Sequence, residues 1–124
     1  MGGKNNLVKD CTASDNGEEA ASNVYGIYVS SGSTVTGNTV YNNGTSATGY
    51  YVYGIYAGSG STVTGNTAYY NGYSADGTVY GIYLGGYNLV DQNTAYSNGT
   101  SAAGSVTNMN LGVGGCVYGI NVAP

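Results

Sequence analysis

The sequence predicts an all-β fold, a short single-stranded parallel β-helix of about four and a half coils of 27–28 residues, and three observations predict it. The first is repetition. The stretch VYGIYVSSGSTVTGNTVYNNG at residues 24–44 returns as VYGIYAGSGSTVTGNTAYYNG at 52–72 and as VYGIYLGGYNLVDQNTAYSNG at 79–99. The second is that apolar residues fall at equal offsets: Val24, Val52, Val79 and Val106 form one column, Ile27, Ile55, Ile82 and Met109 a second, Val29, Ala57, Leu84 and Leu111 a third. The third is the size of the pieces. Segments such as 25–29, 34–36 and 39–41 alternate inward and outward residues with period two. The Gly, Ser and Asn clusters between them are too short to hold the helix of a βαβ unit. Strands this short bury a face only if like lies on like, each coil rising by about 4.8 Å.

The chain divides into a leading partial coil at 5–23, three similar coils at 24–51, 52–78 and 79–105, and a divergent last coil at 106–124, all within one domain spanning 1–124. In the last coil, VTNMNL at 106–111 continues the undisturbed 27-residue spacing, whereas starting a coil at VYGIN, residues 117–121, needs an insertion. That register puts Val117 beneath Val8, Val35, Val63 and Val90, and Val122 beneath Ala13, Val40, Ala68 and Ala95. The corner loops rhyme too, as TSATG from Thr45, YSADG from Tyr73 and TSAAG from Thr100, and so read as ordered turns.

A turn column reads Cys11, Asn38, Asn66, Asn93 and Ile120. Stacked amides donate to and accept from one another along such a column and tolerate the backbone of a tight turn, so Asn38, Asn66 and Asn93 read as a structural ladder. In this register Cys11 and Ile120 replace the amide only where it would lack a neighbour on one side. Divergent outer coils and Pro124, which has no backbone donor, lead to the expectation of a natural end near Pro124. Cys11 and Cys116 lie about four steps apart, roughly 19 Å, beyond the Cα separation of about 7 Å that a disulfide spans. Both are expected to be free and buried.

Tyr28, Tyr56 and Tyr83 form an outward column, as do Tyr41, Tyr69 and Tyr96, because their neighbours on each strand face inward. Three readings are open for them: rings stabilising their own stack, the seam of a homo-oligomer, or contact with the sugar rings of a glycan. A further column, Tyr25, Tyr53 and Tyr80, shares parity with Ile27 and is expected to enter the core at a corner, with a bend separating it from an inward Val24. Outward Thr rows at 34–36 and 62–64 are flanked by LVK and LVD, which makes them too small an array for an ice-binding lattice.

Composition excludes several partners. With 2 Lys and Arg together, 6 carboxylates and a formal charge of −4, the chain has nothing to neutralise nucleic-acid phosphates or to hold anionic lipid. No run of about 18 apolar residues is present, so no helical membrane insertion is expected. The opening MGGKNN lacks the apolar stretch of a secretory leader, which fits a cytoplasmic chain or one whose leader has been removed.

The segments GIYVSSGSTVTGNTVYNNG from Gly26, GIYAGSGSTVTGNTAYYNG from Gly54 and GIYLGGYNLVDQNTAYSNG from Gly81 resemble the right-handed parallel β-helix repeats of the pectin-lyase-like superfamily. The resemblance implies a right-handed coil and favours an extracellular or surface-associated setting. It is weak for activity, because that group spans lyases, hydrolases, epimerases, tail spikes and adhesins. Its lyases use acidic calcium clusters with a nearby Arg or Lys, and its hydrolases group Asp with His, Arg and Lys. This chain has no Arg or His, its Lys4 and Lys9 sit in the leading segment, and its acidic residues show neither calcium-loop spacing nor an evident catalytic pair. No catalytic, cofactor or metal residues are therefore assigned. The leading reading is a non-enzymatic structural or surface-interaction protein, self-associating through Tyr ladders or coil ends. The alternative is a carbohydrate-binding or adhesive module, with a polysaccharide-active enzyme third.

Overall fold

The computed structural model describes residues 3–124 and is a right-handed parallel β-solenoid of about four turns. Its strands, labelled in chain order, form three sheets. The first stacks β1 (Leu7–Lys9), β4 (Thr34–Thr36), β7 (Thr62–Thr64), β10 (Leu89–Asp91) and β13 (Val117–Tyr118). The second stacks β2 (Thr12–Ser14), β5 (Thr39–Tyr41), β8 (Thr67–Tyr69) and β11 (Thr94–Tyr96). The third stacks β3 (Val24–Val29), β6 (Tyr51–Ala57), β9 (Thr78–Leu84) and β12 (Val106–Asn110). Ile27 pairs with Ile55 and Ile55 with Ile82, so equal offsets in sequence are vertical neighbours in space.

Each strand sends alternate side chains inward, and Val29, Val35, Val40, Ile55, Val63, Ile82 and Val90 fill a central core with no water access. A second, smaller core lies under the corner loops, where Val24, Val52 and Val79 pack on Ala47 and Ala75. Those alanines come from the rhyming loops, which are held as ordered turns by coil-to-coil bonds such as Ser74 N–H to Thr45 O at 2.7 Å and Asp76 N–H to Ala47 O at 3.0 Å.

The third sheet serves both cores because its strands bend at one glycine. A Cβ on Gly54 would stand 2.5 Å from the Gly81 carbonyl oxygen and 2.7 Å from Asn71 Nδ2, so only glycine fits. Gly54 and the next residue, Ile55, are both buried, which breaks the strict alternation. This bend corrects the expectation for Tyr25, Tyr53 and Tyr80. They do not enter the core; the bend turns them out against the Tyr28 column.

Corners obey a simple rule: a residue with positive φ comes first, then a polar residue pointing inward. Gly37, Gly65 and Gln92 precede Asn38, Asn66 and Asn93 with φ of 66, 65 and 55°. The inward group accepts the backbone N–H of its counterpart one coil earlier. Asn66 Oδ1 accepts from Asn38 N at 3.0 Å and Asn38 Nδ2 at 2.9 Å, while Asn66 Nδ2 donates to Val35 O and to Asn93 Oδ1, both at 2.9 Å. Two further ladders, unforeseen from sequence, follow the same rule except at Asn108, which lies within β12. One runs Asn16, Asn43, Asn71, Asn98, Asn108 through amide contacts of 2.7 to 3.1 Å. The other uses mixed acceptors, Ser33 Oγ, Ser61 Oγ, Asn88 Oδ1 and Cys116 Sγ, each taking an N–H from the preceding coil. Among the described residues, no buried side-chain nitrogen or oxygen lacks a partner.

The last coil departs from its expected register by one residue. Val117 pairs with Leu89 and Tyr118 with Val90, and Val122 bridges Thr94 rather than lying under Ala95. The first ladder accordingly ends on Asn121, whose Oδ1 accepts from Asn93 Nδ2 at 3.0 Å, and Ile120 is 79 % exposed. The cause is a wider corner, in which Gly112, Gly114 and Gly115 all take positive φ and absorb one extra residue. Cys11, at the other end, is exposed rather than buried, and Cys116 is half-buried; both are free thiols.

Position along a ladder sets the expected cost of losing a rung. Asn66→Ala strands a buried amide on each side, and at about 1–3 kcal/mol per orphaned group urea denaturation should show a loss of several kcal/mol. Asn121→Ala, half-buried with a neighbour on one side only, should cost about 1 kcal/mol. Equal losses would contradict the ladder account.

Candidate functional site

The outward tyrosines form two surfaces. On the third sheet, Tyr25, Tyr53 and Tyr80 stack at 5.0 and 5.3 Å with planes 7 and 8° apart, and Tyr28, Tyr56 and Tyr83 stack at 5.2 and 5.3 Å. The columns meet edge to face, as in Tyr53 against Tyr56 at 5.4 Å and 87°, so the six rings make a herringbone. The geometry follows from the strands. A parallel ladder repeats identical side chains about every 4.8 Å, close to the separation at which offset rings attract. On the second sheet, Tyr41, Tyr69 and Tyr96 stack at 5.1 and 5.3 Å.

Of the residues singled out from sequence, Tyr28, Tyr56 and Tyr83 lie together in the first surface, Tyr41, Tyr69 and Tyr96 in the second, and Asn38, Asn66 and Asn93 in the buried ladder. Stacking occupies the ring faces inside the columns, leaving mainly edges and hydroxyls for solvent. Tyr53 is buried to 9 % exposure although it lies outside the apolar core. Burial, reinforced by the neighbouring phenols, pushes its ionisation well above the ordinary 10.0 and raises that of Tyr56 for the same reasons.

Other exposed tyrosines lie outside these columns. Tyr70 and Tyr73, 45 and 43 % exposed, line an open depression of about 490 Å³ at the corner after the second sheet, together with Asp15, Glu18, Asn42 and Thr45. The lining is a grid of two columns on three successive coils. Strand pairing aligns Asp15, Asn42 and Tyr70, all with positive φ of 54 to 57°, and three residues later Glu18, Thr45 and Tyr73 follow. Asp and Asn accept this backbone readily, but a bulky residue there is an outlier that costs on the order of 1–3 kcal/mol. Tyr70 is braced there by edge-to-face contacts with Tyr69 at 5.5 Å and Tyr96 at 6.4 Å. Sequence analysis missed this site because its residues differ in every coil, so no column of likes announces it.

Asp15 and Glu18, close in sequence, thus line one depression. Both are exposed. Asp91 accepts the Ile120 N–H at 2.8 Å and serves the corner, and Lys9 pairs with Asp10 at 3.6 Å on the surface. Among the described residues no group of three or more His, Cys, Asp or Glu is arranged to hold a metal ion. The Thr rows touch across one step, Thr64 Oγ1 donating to Thr36 Oγ1 at 3.1 Å, between Lys9 and Asp91.

The phenols set an alkaline limit. A raised native ionisation means that the unfolded chain loses protons first as pH rises. The stabilising contribution is therefore complete below the ordinary value and is lost above it. The urea midpoint should fall above about pH 10, and Tyr53→Phe, which keeps the stacking, should make that fall shallower; an unchanged profile in the variant would refute the assignment.

Neither the family models nor the curated proteins nor the solved structures compared with this chain give a match, and the likeness to pectin-lyase-like repeats is one of solenoid architecture.

Proposed function

We propose that the protein is a non-enzymatic structural module that associates with copies of itself end to end. The observation that carries this reading is the surface of the last coil. Val113, Val117, Ile120 and Val122 are 83, 62, 79 and 49 % exposed, around strands β12 and β13 that each pair on one side only. Apolar side chains beside an open strand edge form a template for another strand. The ladders give that template a partner, since each coil hands its corner N–H groups to side-chain acceptors one coil further on. The first coil of a second copy offers Asn6 and Asn16 at two of the three corner positions. A head-to-tail contact of this kind does not close on itself and produces rods rather than rings.

A non-catalytic role is supported by how the polar groups are spent, on ladders and corners. Asp15 and Glu18 are the nearest approach to a catalytic pair, yet both are exposed. The resemblance to surface-associated β-helix proteins supports placement outside the cell or on its surface.

Sedimentation velocity should reveal elongated oligomers that grow with concentration. Ile120→Asp, on an exposed side chain, should return the protein to a monomer without loss of fold. A wild-type monomer at high micromolar concentration would overturn the self-association reading, and release of new reducing ends from a panel of oligosaccharides would overturn the non-enzymatic one.

A further inference from the structure

We propose that the depression lined by Asp15, Glu18, Asn42, Thr45, Tyr70 and Tyr73 is a binding site for a short amino-sugar oligosaccharide carrying free amines. The inference is independent of end-to-end association, since the site lies on a side corner. Its three levels differ in chemistry and are ordered along the axis. Two exposed carboxylates stand on the first coil, an amide and a hydroxyl on the second, two phenol rings on the third. By strand spacing the levels are about 4.8 Å apart and the row spans roughly 10 Å. A pyranose in a linear chain advances by close to one such step, so successive sugars match successive coils.

Each level suits one feature of such a ligand. The carboxylates concentrate two formal negative charges, and among the described residues neither has an ion-pair partner, since the ion pair formed is Lys9 with Asp10. They favour a cation and disfavour the acidic sugars that basic grooves bind. Thr45 donates its hydroxyl to the Asn42 backbone carbonyl at 3.1 Å, which leaves the hydroxyl's lone pairs to accept from a sugar hydroxyl, and Asn42 adds a side-chain amide at the same level. Tyr70 and Tyr73, 45 and 43 % exposed, supply aromatic surface for the apolar face of a pyranose and for a neighbouring ammonium. Tyr70 makes edge-to-face contacts with Tyr69 and Tyr96, so its ring is held in place before a ligand arrives. An uncharged glycan would leave the carboxylates unanswered, and a bare cation would leave the rings unused.

The test is titration of a glucosamine trimer, its fully N-acetylated counterpart and trilysine into the intact protein, followed by calorimetry and by nuclear magnetic resonance of the tyrosine rings. The free-amine trimer should bind more tightly than either comparator, perturb Tyr70 and Tyr73 but not Tyr56, and weaken as salt is raised. Tyr73→Ala should lower its affinity roughly three- to fivefold and Glu18→Gln roughly threefold. Both positions are exposed, so a circular-dichroism spectrum like the parent's verifies the fold of each variant. Absence of binding, equal binding of the acetylated trimer, equal binding of trilysine, or binding untouched by both variants would each overturn the proposal.

Discussion

The structure depends on one constraint, that a corner of a solenoid leaves a backbone N–H facing inward with no strand to receive it. A buried donor without a partner is expensive. Here these donors are answered by the side chain of the residue at the same corner one coil further on, except at Asn98, whose N–H is taken by Asn108 from β12. Asn does this best because its amide accepts two bonds from the preceding coil while its own N–H groups reach a strand carbonyl and the next amide. Ser and Cys fill the same place at the third corner, Ser33, Ser61 and Cys116 taking an N–H at 3.1, 3.1 and 3.3 Å. What the corner requires is an inward acceptor on a short stem, preceded by a residue that tolerates positive φ.

Composition follows from that requirement. Inward corners consume Asn and Ser, turns consume Gly, and the narrow core admits Val, Ile, Ala and one Leu between strands of two to seven residues. Aromatic bulk is left for the outside, where Tyr can stack along the axis and still show water a hydroxyl. The herringbone on β3, β6 and β9 is therefore part of the stabilising architecture, each ring covering the next. It also separates the tyrosines stacked in columns from those, such as Tyr70 and Tyr73, that stand exposed outside them.

The coil period, the three sheets, the inward columns and the first amide ladder were legible in the sequence because repetition converts spacing into position. Legibility ended where repetition did. The wide glycine corner after Leu111 inserts one residue, and the exchange of Ile120 for Asn121 as the last rung follows from it. Tyr25 was misplaced because parity along a strand assumes no bend, and the bend sits at a glycine whose role shows only through the amide pressed against it. The second Asn ladder was written in the repeat as Asn43, Asn71 and Asn98, but its final member, Asn108, comes from β12 and so from another part of the repeat. The corner depression was hidden for the opposite reason, since its function-bearing residues are those that change from coil to coil.

Because Ile55 meets Ile27 on one side and Ile82 on the other, the two faces of a middle coil present the same groups to their neighbours. Tandem duplication of such a segment in the gene would add a storey without disturbing any contact above or below it. The height of the stack is then a trait that recombination can change in whole units, while the varied outer corners remain free to diverge.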